Sequence, residues 1–301
     1  MTRCTPQRLA AAERFIWLTA RVLEQRRFEH LHAEGSADAV RTALEAYRCA
    51  DGGYGYGLEP DARGPISQPL QTWTALTILD EIGRCAEAAP AICDHLQAIT
   101  RPDGGVPGGD VRLGDYPHAP WIPVVEEPEG NLLSTALLAG VLHKNAVAHP
   151  WLSGATEFCW KNIDALTQTH PYEAIAAMAF LDHVPERERA VEAAERIGGL
   201  IREAGYVLLD PERPELARVA PGYASGEIPG VCDYAASPSG LARRWFSDSE
   251  LERGLDYLAA QQHEDGGWPI HWLEWSPSTA LEGRPRVTLD ALRVLSAYDE
   301  A

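Results

Sequence analysis

Positive charge is scarce in this sequence. Its 301 residues include 44 Asp and Glu against 26 Lys and Arg, which gives a formal net charge of −18 at pH 7. Only Lys144 and Lys161 are lysines. An acidic surface repels nucleic acid and anionic membranes, because both carry phosphate charge. We therefore expect neither as a partner, and we expect an anionic ligand only where arginines cluster locally.

Long apolar runs and paired cysteines are missing as well. Glu13, Arg14 and Arg21 interrupt the N-terminal apolar stretch, which predicts an amphipathic helix rather than a signal peptide or a membrane span. The six cysteines include no Cys-x-x-Cys pair and no spacing typical of a disulfide framework or a zinc ribbon. We expect reduced, mostly buried thiols in a cytoplasmic protein.

Strand-like alternation is rare, and Val207–Leu209, the best candidate, is too short to found a sheet. Apolar residues instead recur at helical spacing. This periodicity predicts helices near residues 7–27, 37–49, 69–84, 87–99, 131–144, 151–168, 172–183, 186–204, 248–262 and 286–299. Start signals support several of them, including Ser36, Pro150, Pro171 and the capping-box pair Ser247 and Glu250.

Three long Pro/Gly-rich segments connect these helices, over residues 51–68, 101–130 and 205–247. Loops of this length in a compact domain usually carry function or cover a surface. No linker-like run divides the chain. We therefore predict one domain over residues 1–301, with residues 1–35 forming an N-terminal helix that packs on it.

An Asp-Gly-Gly motif occurs three times, each time after a predicted helix. The copies are Asp51-Gly52-Gly53-Tyr54, Asp103-Gly104-Gly105-Val106 and Asp265-Gly266-Gly267-Trp268. Asp ends a helix by accepting hydrogen bonds from nearby backbone N–H groups, and glycine adopts conformations that cost other residues too much. The apolar residue is expected to fold back onto the preceding helix. Three copies in one register indicate an internal repeat whose aspartates are structural.

The last copy, with Gln262 before the turn and Trp268 after it, resembles the Gln/Trp repeat of the terpenoid cyclase and protein prenyltransferase superfamily. The resemblance extends from about residue 40 to the C-terminus, and its sharp motifs are the three turns. More narrowly, the chain is similar to small bacterial proteins described as prenyltransferase-like. The resemblance implies an all-α fold of the (α/α)6 toroid type, a barrel of helical hairpins. It also implies an isoprenoid (polyene) substrate and lyase or isomerase chemistry.

The metal motifs of that superfamily are not intact here. The magnesium-binding Asp-Asp-x-x-Asp is missing. Cys232 and Asp233, followed by His263 or His271, differ in order and spacing from the prenyltransferase zinc ligands. We therefore expect no cofactor, since no motif supports zinc or magnesium.

The acid motif Asp-x-Asp-Asp is also missing, and the closest phrase is Leu58-Glu59-Pro60-Asp61 after the first turn. A carboxyl group that an apolar site keeps protonated can act as a general acid. The resemblance thus points to Asp61 or Glu59 as the catalytic acid. The alternative is structural, with both carboxylates capping the next turn or pairing with Arg63.

Aromatic residues and histidines are frequent in the long loops. The loops of a toroid gather at one mouth, so the resemblance implies that these side chains line a substrate pocket. The candidate substrate-binding residues are Tyr56, Trp73, Tyr116, His118, Trp121, Tyr172, Tyr223, His271, Trp272 and Trp275. Arg243 and Arg244 form a dense basic pair that can clamp an anion or answer the acidic surface.

Three functions fit this pattern. The first is an enzyme that acts on a small hydrophobic or amphipathic isoprenoid, with aromatic faces that stabilise carbocations. The second is a carbohydrate-active glycosidase or lyase on a similar scaffold, with paired carboxylates and stacking aromatic rings. The third is a toroid that binds a ligand without catalysis, which the missing motifs favour.

Overall fold

The chain forms an all-helical structure. The computed structural model describes residues 2–301, and in that range it contains twelve α-helices, four short 3₁₀ segments and no β-strand. The helices are α1 (Pro6–Thr19), α2 (Val22–His32), α3 (Ala37–Leu44), α4 (Pro69–Glu81), α5 (Cys85–Ile99), α6 (Leu132–Lys144), α7 (Pro150–Ala165), α8 (Pro171–Leu181), α9 (Arg187–Ala204), α10 (Val231–Tyr234), α11 (Asp248–Ala260) and α12 (Thr279–Asp299). The all-α prediction is confirmed.

Two helix boundaries differ from the sequence prediction. The helix expected over 7–27 is two helices, because Ala20 and Arg21 adopt extended backbone between α1 and α2. The last helix begins at Thr279 and not near residue 286, because Pro285 lies inside it and is buried there. A proline inside a helix removes one backbone hydrogen bond. The sequence pattern therefore predicts a helix that starts only after Pro285.

The strand candidate forms only a single β-bridge. Leu208 pairs with Gly230 in parallel orientation, and the Leu208 N–H donates to the Pro229 carbonyl at 2.8 Å. The short helix α10 follows at once, inside the segment expected to be a loop. The bridge therefore positions the start of α10.

The chain divides into two compact units, which we call the terminal unit and the middle unit. The terminal unit contains the N-terminal residues through Gly35, then Gln168–Ile175 and Ala194–Ala301. The middle unit contains Ser36–Thr167 and Ala176–Ala193. Helices α8 and α9 contribute residues to both.

Two helical hairpins form most of the middle unit. Helix α4 packs on α5 and α6 packs on α7, while α4 also contacts α6 and α5 contacts α7. Helices α4 and α6 carry apolar residues on all sides, and most of their residues are buried, as expected of helices that pack against neighbours all round. Gly140 of α6 permits a close helix approach, because a Cβ there would lie 2.3 Å from the Ala179 carbonyl oxygen.

The terminal unit brings the first helix against the last two. Helix α1 contacts α12, which also contacts α2 and α11. The backbone N–H groups of Arg3 and Cys4 donate to the Asp299 carboxylate at 2.7–2.9 Å. The buried Arg3 guanidinium pairs with Glu252 and Asp256 of α11. These contacts fasten the N-terminus to both C-terminal helices.

Candidate functional site

The three Asp-Gly-Gly turns share one set of hydrogen bonds. In each copy the Asp Oδ1 accepts from the N–H of the second glycine at 3.0–3.1 Å. The first glycine has a φ between +92° and +97°, which side chains other than glycine rarely tolerate. The next residue donates its N–H to a threonine Oγ1 at 3.0–3.2 Å, and these threonines are Thr72, Thr135 and Thr288. The structural role expected for the aspartates agrees with this geometry.

Each turn also docks on a second helix in the same register. A Cβ on the first glycine would approach a helix carbonyl oxygen, and that carbonyl belongs to Ala91 in α5, Gly154 in α7 or Ala11 in α1. A Cβ on the second glycine would meet the side chain four residues further along the same helix. Those side chains are His95, Phe158 and Phe15. The spacing places both contacts on one helix face.

The last turn is the most enclosed copy. Trp268 is fully buried, and its Nε1 donates to the Leu258 carbonyl at 2.7 Å, so it folds back onto α11 as predicted. Gln262 Nε2 donates to the carbonyls of Arg8 and Gly266 at 3.0 and 2.8 Å. Its amide therefore ties this turn to the first helix.

The first turn is surrounded by polar groups. Asp51 Oδ1 accepts a short hydrogen bond from the Ser67 hydroxyl, and Asp51 Oδ2 lies 3.6 Å from His95 Nδ1. Burial raises the pKa of the neighbouring Cys49 thiol and lowers the pKa of His95. The sequence interpretation missed Ser67 and His95. The one sequence signal for His95 is its position on α5, four residues after the residue whose carbonyl the first glycine approaches.

The predicted acids Glu59 and Asp61 lie in the loop after this turn. Glu59 is buried, and its Oε2 accepts from the Asp61 N–H at 2.9 Å. Asp61 Oδ2 accepts from the Trp121 indole Nε1 at 2.8 Å. The fully buried Gln71 of α4 holds the loop by accepting from the Leu58 N–H and donating to the Ala62 carbonyl. Glu59 and Asp61 therefore help to shape the loop.

The predicted aromatic residues of the middle unit lie mostly on its surface. Tyr56 is 51% exposed with a φ of +58°, and Trp121 is 43% exposed. The Tyr116 ring covers Gly64, and the Tyr116 carbonyl lies 2.8 Å from His118 Nδ1. Trp73 is half-buried on α4. The structure thus joins Asp61 to Trp121 and Tyr116 to His118.

In the terminal unit, the structure brings two predicted aromatic residues together with a histidine. The Tyr223 ring lies 4.7 Å from the His170 ring and 5.1 Å from the Tyr172 ring, between centroids. The Tyr172 hydroxyl contacts the buried Glu227 carboxylate at 3.4 Å. The Tyr223 hydroxyl is buried and has no hydrogen-bond partner among residues 2–301. We call His170, Tyr172, Tyr223 and Glu227 the aromatic cluster.

Asp233 lies in α10, and its charge is the smallest of the influences that raise the pKa of Tyr223. Its charge acts on Tyr223 and on Tyr234, the next residue along the chain. Solvent reaches the Asp233 side chain, yet burial by surrounding atoms is the largest influence on its pKa and raises it. A backbone hydrogen bond from Gly230 at 2.6 Å and the charge of His271 act in the opposite direction. In the sequence Asp233 had stood out only as a poor match to a zinc ligand.

The remaining predicted site residues have other contacts or are open to solvent. The guanidinium of Arg286 lies 5.6 Å above the ring of Trp272, and Trp275 is half-buried. His271 and Arg244 are exposed. Arg243 pairs with Asp248 and donates to the Phe246 carbonyl at 2.9 Å. A clamp for an anion would therefore have to draw Arg243 away from the start of α11.

Among residues 2–301, no three His, Cys, Asp or Glu side chains are arranged to hold a metal ion. Within the same range, no helix is both long enough and apolar enough to cross a bilayer.

Comparison with known proteins adds no relative. The chain matches no protein-family model, and no curated protein is similar to it in sequence. The superfamily resemblance therefore rests on the repeat residues themselves.

Proposed function

We propose that the protein is a single (α/α)6-type toroid that performs acid-initiated chemistry on an isoprenoid or similar polyene. The observation that carries the proposed chemistry is the packing of the His170, Tyr172 and Tyr223 rings, whose centroids lie 4.7–6.1 Å apart, with the exposed Asp233 as the candidate acid. Aromatic faces attract a developing carbocation, and a carboxyl with a raised pKa supplies the proton that creates it.

The docking register of the turns supports the toroid. Each turn lies on the helix after next: the turn after α3 on α5, and the turn after α5 on α7. The turn after α11 lies on α1. If the same rule holds throughout, α1 occupies the place that follows α12. This contact between the last turn and the first helix is what supports the proposed toroid.

The proposed step balances in protons and electrons. The Asp233 proton adds to one carbon of a substrate double bond, whose π electrons form the new C–H bond. The other carbon becomes cationic and lies against the ring faces of the aromatic cluster. Loss of a proton from a neighbouring carbon to a carboxylate forms a new double bond. The net result is an isomerisation or cyclisation that needs no added cofactor.

The same proposal keeps Asp61 and Glu59 as the alternative acids after the first turn. Both carboxylates accept hydrogen bonds that shape their loop, so a change at either position will also disturb Trp121 or the backbone of the loop. Asp233 accepts one hydrogen bond, from the backbone of Gly230. Substitutions of Glu59 or Asp61 are therefore expected to disturb the loop as well as any activity, whereas substitution of Asp233 is not.

Purified protein would be incubated with farnesyl diphosphate, geranylgeranyl diphosphate and squalene, and the products extracted and identified by mass spectrometry. We expect a new isomerised or cyclised product, a hydrocarbon from squalene or a diphosphate ester from the two diphosphates, about 100-fold less of it with Asp233→Asn, and full activity with Glu264→Gln, an exposed control in the same unit. Loss with Asp61→Asn and not with Asp233→Asn would transfer the acid role to Asp61. The absence of any product from folded protein would contradict the proposal and leave a ligand-binding toroid.

The exposed rings of the middle unit favour a carbohydrate ligand as the second candidate. Tyr56 and Trp121 are 51% and 43% exposed, and the Trp121 indole donates to the Asp61 carboxylate, which places an acid beside an exposed ring that a sugar could stack on. Affinity electrophoresis in gels containing soluble polysaccharides would test this. Retardation that Trp121→Ala abolishes and Trp17→Ala does not would support it. Trp17 serves as the control because it is similarly exposed in the terminal unit.

A further inference from the structure

The three turns differ at the side chain that touches their second glycine. Phe158 and Phe15 occupy this position in the second and third copies, and His95 occupies it in the first. All three rings are buried. The first copy therefore carries an ionisable ring where the other two carry an apolar one.

The surroundings of His95 suit the neutral ring. Its Nδ1 faces Asp51 Oδ2 at 3.6 Å, which favours the neutral tautomer with its proton on that nitrogen. Its Nε2 is buried and has no hydrogen-bond partner among the described residues. Gly53 packs between Nε2 and Ser67, since a Cβ on Gly53 would be 2.6 Å from Nε2 and 2.7 Å from Ser67 Oγ.

A second proton on His95 would place a buried hydrogen-bond donor in the closed turn with no acceptor bonded to it. The new Nε2–H would be buried without an acceptor, which costs about 1–3 kcal/mol for a neutral donor and more for a charged one. The nearby Ser67 hydroxyl already donates its proton to Asp51. Its oxygen can still accept, but it makes no hydrogen bond to Nε2 in the closed turn, so Ser67 would have to move closer or the loop would have to open to water.

We propose that the first turn is a pH-sensitive lock, in which proton uptake by His95 releases the loop over residues 51–68. The lock consists of Asp51, Ser67 and His95, with Gly53 between the histidine and the serine. The other two turns lack the titratable ring and stay closed over the same pH range.

The charged groups around His95 oppose one another. Asp51 on the loop and Asp110 on the segment after the second turn raise its pKa, and Arg112 on that same segment lowers it. Burial is the largest influence and holds the pKa below the ordinary value of 6.5. The folded state thus binds the proton more weakly than the open state, so closure is favoured at higher pH. The open population should rise about tenfold per pH unit as pH falls from about 6.5 to the folded-state pKa.

The loop that this lock holds carries Glu59, Asp61 and the hydrogen bond to Trp121. Opening it would break the contacts that hold the alternative acids of the middle unit. This consequence rests on the proposed function, whereas the lock itself does not. The lock is therefore tested without any substrate.

The first measurement is an NMR titration of ¹³C-labelled histidine side chains in the full-length protein. The His95 resonance, assigned as the one missing in His95→Phe or His95→Gln, is expected to titrate below pH 6.5. A normal or raised titration point would overturn the proposal, because the closed turn would then accept the proton.

The second measurement is hydrogen exchange of the loop between pH 5 and 7.5, corrected for the intrinsic rate at each pH. The Tyr54 and Gly55 amides should lose about tenfold protection per pH unit towards acid, and His95→Phe should abolish this dependence. The reciprocal variant Phe158→His should transfer it to the second turn. A pH dependence that survives in His95→Phe, or that is missing from the wild type, would overturn the lock.

Discussion

The first and last Asp-Gly-Gly turns share their hydrogen bonds and differ in what surrounds them. In the last turn Asp265 pairs with Arg284 through two bonds of 2.8 Å, and the Arg284 guanidinium lies 4.7 Å above the Phe15 ring. In the first turn the equivalent carboxylate meets a serine and a buried histidine. The last turn therefore fastens two helices, and the first holds a loop with polar groups.

The comparison separates two requirements within one motif. The glycine dihedrals and the Asp-to-backbone bond are local, so every copy retains them. The partner of the second carboxylate oxygen and the docking ring come from other helices, so they are free to vary. Differences in stability and pH response between the turns should follow these partners.

The largest expected effect is at Trp268. Replacing it with Ala removes a fully buried ring and its bond to the Leu258 carbonyl. We expect the free energy of unfolding to fall by roughly 3–5 kcal/mol. Urea denaturation followed by circular dichroism would measure the loss. Val106→Ala at the same position of the second turn should cost clearly less, and an equal cost would contradict the view that the last turn is the main fastening point.

The glycines that dock on helices should follow in a graded order. An Ala Cβ at Gly266 would lie 2.0 Å from the Ala11 carbonyl oxygen, against 2.8 Å at Gly52 and 3.5 Å from the nearest atom at Gly104. All three have positive φ, so each substitution adds similar backbone strain. We expect Gly266→Ala to cost roughly 2–4 kcal/mol and Gly104→Ala roughly 1–2 kcal/mol. Thermal unfolding of the three variants would reveal the order.

The smallest effect concerns acid sensitivity. The hydrogen bond from Arg284 holds the pKa of Asp265 below its ordinary value of 3.8. This pair therefore contributes stability above about pH 4 that is lost as pH falls further. Because the carboxylate is half-exposed, Arg284→Met should cost only about 0.5–1 kcal/mol at pH 7 and less at pH 3. Denaturation curves at both pH values would check this.

The His95 lock of the first turn should respond at a higher pH than this pair, between about 6.5 and its folded-state pKa. A loss of the Arg284 effect in that higher range would mean that the two turns share one acid transition.

Local signals in the sequence predicted helix boundaries well where the partner lies a few residues away. Ser247 and Glu250 form the expected capping box, and Pro150 and Pro171 begin α7 and α8. Pro285 misled the prediction because its helical conformation depends on burial in the packed α12. The break after Thr19 carries no glycine or proline, so no local signal marked it.

The candidate site was less predictable than the fold. Tyr172 and Tyr223 were chosen as isolated aromatic residues, and their contact with His170 and Glu227 spans about fifty residues of sequence. The sequence shows that Asp233 is an acid, but the burial that raises its pKa depends on the packing around α10. His95 looked like an ordinary helix residue until the turn was seen to dock on it.

The sequence by itself determined the helical class of this protein and the position and hydrogen bonding of its three turns. These properties depend on periodicity, on glycine and on an aspartate that acts within two residues, all of which are short-range. Only the tertiary structure decided which helix each turn docks on, which aromatic rings meet in the cluster, and which ring touches the second glycine. Those outcomes depend on burial and on contacts between distant segments, whose strength comes from the packing around them.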